Sequence, residues 1–172
     1  MDPLPGAAAG ERPPGFFCPT EFANVLVASH GTLGAQAAER AALALCRAEG
    51  RLSHLIVVPD LWRGMMGDDW LNNASTRDVY GKYVETQLQR EVQSQIDRLR
   101  PQAVTRDIAY EFRVVLGKPT ECLLAFSREL APDLVVIGAP RPKGISGLRS
   151  RMHPEQLAGA LEMPLLVVPY PR

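Results

Sequence analysis

Four short, almost uninterrupted apolar runs constrain this chain most: Asn24–Ser29, Leu52–Val58, Asp133–Ile137 and Leu165–Val168. A strand with one wet face alternates apolar and polar residues, whereas a strand covered on both faces reads as a continuous apolar run. Between the runs the apolar spacing becomes helical. Ala38, Ala41, Ala42 and Leu45 lie on one face of a helix over Gly34–Glu49, with Thr32 as N-cap and Gly50 as its end. Val79, Tyr83, Leu88, Val92, Ile96 and Leu99 mark a long amphipathic helix terminated at Pro101. A third helix starts at Gly117–Thr120 and runs to about Ala131, closed by Pro132, and a short one runs from Pro154 to Glu162 with proline at its first position. Asp107–Val115 alternates enough to be a further strand, less buried than the others. The order βαβαβαβαβ predicts an α/β doubly wound fold, a parallel sheet with helices on both faces joined by right-handed crossovers.

The 172 residues suit one domain, because a chain of about 150 residues already buries about two-thirds of its unfolded surface. Residues 1–21 hold five prolines among Gly and Ala and predict a flexible tail ahead of a single folded unit over 22–172. The 19 basic and 19 acidic residues balance, so no global field draws nucleic acid or an anionic membrane. Cys18, Cys46 and Cys122 are odd in number and far apart, as expected of reduced thiols in a cytoplasmic protein. No apolar run approaches the ~20 residues needed to span a bilayer. No basic-then-apolar leader is apparent either, and a cytoplasmic location is expected.

In open parallel sheets, ligands bind beyond the carboxyl ends of the strands. That rule gathers His30, Gly31 and Thr32, Val58–Leu61, Val115–Lys118 and Gly138–Met152 around one crevice. Gly117-Lys118-Pro119, Leu123, the run Ala131–Gly138, the loop Gly144-Ile145-Ser146-Gly147-Leu148 and the run Pro164–Pro169 together resemble the universal stress protein family in order and spacing. The resemblance covers about Ala23 to Pro169. It implies a five-stranded sheet of order 3-2-1-4-5, a homodimer through the last strand (Leu165, Leu166, Val167, Val168) and, in one branch of the family, bound ATP.

The ATP-binding branch carries Gly-x-x-Gly followed further on by Gly-Ser or Gly-Thr. At those positions this chain has Gly138, Arg141, Arg151 and Met152. A non-glycine residue costs roughly 1–2 kcal/mol where left-handed backbone is required, and methionine supplies no hydroxyl to a phosphate. The family's acid after strand one is also replaced, by His30. Against these losses, Arg141, Lys143, Arg149 and Arg151 cluster on the loop, with Lys118, Gly117 and Gly144 beside it. Two inward arginines would offset a lost backbone cradle, since each charge-assisted hydrogen bond contributes about 1.5–3 kcal/mol. The plainer reading of the cluster is solvated side chains on the loop, with anion binding and a protein contact as the alternatives.

His30 has no ligand-forming neighbour and reads as a turn histidine. Asp68-Asp69 lack the further oxygen ligands of a cation site, Ser29 and Ser127 lack a nucleophile elbow, and no metal site is expected. Trp62, Met65, Met66 and Trp70 after strand two either cap the open end of the sheet or form a partner-binding flap. The expectation is a non-catalytic, dimeric binding or regulatory module with no resident cofactor, taking no ATP in the family's usual way. The alternative is a sensor for ATP or another anionic small molecule through the 138–152 loop.

Overall fold

The computed structural model describes residues 21–30, 32–58, 74–144 and 152–171. Its elements are β1 (Phe22–Ser29), α1 (Leu33–Leu45), β2 (Cys46–Val58), α2 (Ala74–Thr105), β3 (Ala109–Leu116), α3 (Pro119–Leu130), β4 (Leu134–Gly138), α4 (Pro154–Ala160) and β5 (Leu165–Val168). The strands form one parallel sheet of order β3-β2-β1-β4-β5. Outside the described residues lie the tail to Thr20, the Trp62–Trp70 segment with its two aspartates, Gly31 and the loop residues Ser146, Gly147, Arg149 and Arg151.

The apolar runs are covered on both faces, as their composition requires. One layer packs Val25, Val27, Leu52 and Val136 under Ala38, Ala42 and Leu43 of α1 and Leu99 and Ala103 of α2. The opposite layer packs Leu26, Leu55, Val57, Val135 and Ile137 against Leu123 and Phe126 of α3 and Leu157 of α4. Alternation along each strand therefore assigns residues to layers and not to core or water. Edge strand β3 is mostly exposed, as its mixed composition suggests.

Two helix ends differ from the sequence expectation. Gly50 is not the end of α1, which stops at Leu45 and passes directly into β2. The residues after it form a bulge: Phe22 pairs with Cys46 and Asn24 with Arg51, so a step of two residues on β1 spans five on β2. Glu49 takes a φ of 60° there and donates to the Asp107 carbonyl at 2.7 Å. Gly50 serves close approach, because a Cβ would lie 2.8 Å from the carbonyl oxygens of Ala23 and Arg47. Nor does Pro101 terminate α2, which continues to Thr105. One missing backbone donor is tolerated because Leu99 and Ala103 continue the apolar face into the core. The true stop is a Schellman turn: Ile108 donates to the Ala103 carbonyl at 2.9 Å and Asp107 to that of Val104 at 3.1 Å, with Asp107 at φ 57°.

Candidate functional site

The carboxyl ends of the strands bring several of the expected residues together. Thr32 caps α1, its hydroxyl oxygen accepting from the Ala35 N–H at 3.3 Å and meeting His30 Nε2 at the same distance. His30 is thus a partnered turn histidine, and burial lowers its pKa. Gly117, at φ 153°, donates to the Val58 carbonyl at 2.9 Å, joining the ends of β2 and β3. Lys118 reaches Glu121 at 2.9 Å on the exposed side of α3. The start of that helix touches the loop after β4, where Thr120 Oγ1 accepts from the His153 N–H at 3.1 Å.

At the switch point, where β1 lies beside β4, Gly138 is packed against backbone. A Cβ on it would fall 2.3 Å from the Gly34 carbonyl oxygen and 2.9 Å from the Ala35 nitrogen. A Cβ on Gly34 would in turn meet the Ala139 carbonyl at 2.9 Å and the Tyr170 ring at 3.2 Å. The glycine therefore admits the first turn of α1. Gly138→Ala is expected to destabilise the protein by about 2 kcal/mol, a typical cost of overpacking, read as a lower midpoint in urea. A midpoint equal to wild type would show that α1 shifts freely.

Beyond Gly138, Arg141, Lys143 and Met152 border a cavity of about 430 Å³ with Pro140, His153 and Glu155. Met152, which the family resemblance sets at the hydroxyl position, is 6% exposed and belongs to the core layer under α3 and α4. Arg141, which the resemblance sets at the second glycine position, is half-buried. Its Nε and Nη1 are shut off from solvent with no hydrogen-bond partner among the described residues. Lys143 is exposed, and Gly144, at φ 91°, has open space around it. Among the described residues no group of His, Cys, Asp or Glu is placed to hold a metal, and no helix is long and apolar enough to cross a membrane.

Sequence reasoning missed a buried polar network on the α1 and α2 face of the sheet, running from Ser29 at the end of β1 to Tyr110 near the start of β3. Tyr110 OH lies 2.8 Å from His54 Nδ1, His54 Nε2 lies 2.6 Å from Ser29 Oγ, and Ser29 Oγ donates to Gln95 Oε1 at 2.7 Å. His54, neutral and buried, bridges Ser29 and Tyr110 through its two ring nitrogens. Burial, aided by the charge of Arg98, pulls its pKa down to about 4. Glu39 lies 3.9 Å from His54 and is gripped by Arg98 through contacts of 2.8 to 3.1 Å. Its pKa is nevertheless raised, because burial outweighs the pull of Arg98. Burial likewise holds the Tyr110 phenol protonated. The signal was present in the sequence: Ser29 and His54 interrupt runs covered on both faces, where a polar group needs a buried partner.

The architecture and this crevice define a doubly wound α/β protein of the kind that holds small ligands at its switch point. The family model described as the universal stress protein family matches residues 21–169, and the chain belongs to that family. Solved structures agree on the fold. Universal stress protein UspA from Lactobacillus plantarum has a TM-score of 0.61 at 15% identity, over 86% of this chain and 98% of that one. A universal stress protein family member from Burkholderia pseudomallei has a TM-score of 0.58 at 23% identity, over 86% and 96%. A family protein from Arabidopsis thaliana with AMP bound has a TM-score of 0.56 at 14% identity, over 89% and 93%. No curated protein sequence matches the chain.

Proposed function

We propose that this protein is a non-catalytic universal stress-type binding module that does not hold ATP in the Gly-x-x-Gly manner, acting in the cytoplasm as a dimer through β5. The observation that carries this reading is the placement of Met152. A side chain committed to the core offers a phosphate no donor, and the space next to the Gly138 Cα is taken by the first turn of α1. The Arabidopsis relative with AMP bound makes a nucleotide the ligand to test first. Millimolar ATP with Mg²⁺ is expected to leave the melting temperature unchanged, whereas a ligand at 100 times its Kd stabilises by about 2.7 kcal/mol. An upward shift of that order would overturn the proposal.

One observation favours a second reading, an anion sensor. Desolvated guanidinium N–H groups left without acceptors cost roughly 1–3 kcal/mol each, and Arg141 presents two beside Lys143. If AMP or pyrophosphate stabilises the protein and Arg141→Ala abolishes the effect, the basic loop is an anion site; stabilisation that survives the substitution sinks this reading.

A further inference from the structure

We propose that the outer edge of β3 pairs with β3 of a second copy, antiparallel and centred on Phe112. β3 is an edge of the sheet, opposite the β5 edge of the dimer proposed above, so pairing through both edges extends the assembly beyond that dimer. It carries an exposed apolar row, with Phe112 and Val114 each 42% and Leu116 57% exposed. Gly117 donates inward to Val58, so the two-residue period turns the backbone groups of Tyr110, Phe112 and Val114 outward, where no described strand receives them.

Charge selects the occupant and the register. A two-fold axis makes the pairing antiparallel. Centred on Glu111 it would set two carboxylates opposite each other, and centred on Arg113 two guanidinium groups. Centred on Phe112 it sets each Glu111 opposite Arg113 of the second copy, at the positions where antiparallel side chains approach most closely. The same register gives the outward backbone groups of Tyr110, Phe112 and Val114 their partners and lays Tyr110 against Val114 of the second copy. The side chains of Glu111 and Arg113 are 58% and 49% exposed, so both are accessible despite contacts to Arg51 at 3.8 Å and Glu129 at 2.9 Å.

The test is sedimentation of the full chain at rising concentration in a Val167→Asp background, which removes pairing through β5. A dimer is expected to persist, to weaken at least about tenfold in Glu111→Arg or Arg113→Glu, where like charges face each other, and to recover when both substitutions are combined. The contacts to Arg51 and Glu129 stay broken in the combined variant, so recovery reports the contact between copies alone. A monomer in the Val167→Asp background, or no recovery in the combined variant, overturns the proposal. A dimer lost only with Val167→Asp identifies β5 as the sole interface, while one that survives it but not Phe112→Lys identifies β3. If Val167→Asp does not fold, the same charge-swap cycle is read in the wild-type chain as assembly beyond the β5 dimer, lost in either single variant and recovered in the combined one; a wild type that stops at the dimer, or no recovery, overturns the proposal.

Discussion

Arg98→Ala is expected to cost the fold about 3 kcal/mol, at the low end for breaking a buried ion pair. The low end applies because the Arg98 side chain is 32% exposed while that of Glu39 is 2% exposed. The loss comes less from the missing attraction than from the carboxylate stranded between α1, α2 and the sheet. For a domain of this size that corresponds to a drop of roughly 6–12 °C in melting temperature. The damage is also pH-dependent. Burial already raises the Glu39 pKa against the pull of Arg98, and without Arg98 it rises further. Acidification then neutralises the carboxylate, so the stability gap to wild type narrows as pH falls. Urea titrations of both proteins at pH 7.5 and 5 measure this; a gap that stays constant or widens toward acid would show that the stranded charge is not the cause.

His54 carries an effect of similar size. Its folded pKa of about 4 lies below the ordinary value of 6.5. Between those values the unfolded chain takes up a proton that the folded protein refuses, so stability falls as pH falls from 6.5 to 4. The full term is about 3 kcal/mol. Glu39 works in the opposite sense, since its raised pKa favours the folded state as it takes up a proton on acidification. The wild-type profile is therefore shallower than the histidine alone would give, and comparison with His54→Gln isolates the histidine. The stability advantage of wild type over that variant is expected to shrink by about 3 kcal/mol between pH 7 and pH 4. An advantage that does not change with pH would mean that His54 takes up its proton in the folded protein as readily as in the unfolded chain.

The network also shows where reading the sequence stops. Glu39 and Arg98 sit on helices whose exposed positions are full of charge, and nothing local distinguishes them from solvated neighbours. Their pairing depends on α2 crossing α1 at one height. The Ser29–His54–Tyr110 chain similarly depends on β1, β2 and β3 lying side by side in one register, with Val27 beside His54 and Leu52 beside Tyr110. Gly138 was legible as a glycine of the loop, but its reason for being glycine, the carbonyl of Gly34, belongs to another element. Met152 was legible as a lost hydroxyl, and only packing shows it inside the core.

From the sequence alone came what depends on period and order: which runs are covered on both faces, the alternation of strands and helices, the weak burial of β3 and the family's spacing of motifs. Hydrophobic period reports burial locally, so these survive without knowledge of any partner. The tertiary structure decided what depends on meeting. It ended α1 at Leu45 because the chain must bulge into β2, and it carried α2 past Pro101 because Ala103 still reached the core. It also set Arg141, half-buried, beside a core methionine. Each of those outcomes is a contact between residues far apart in the chain, and sequence period does not encode distance.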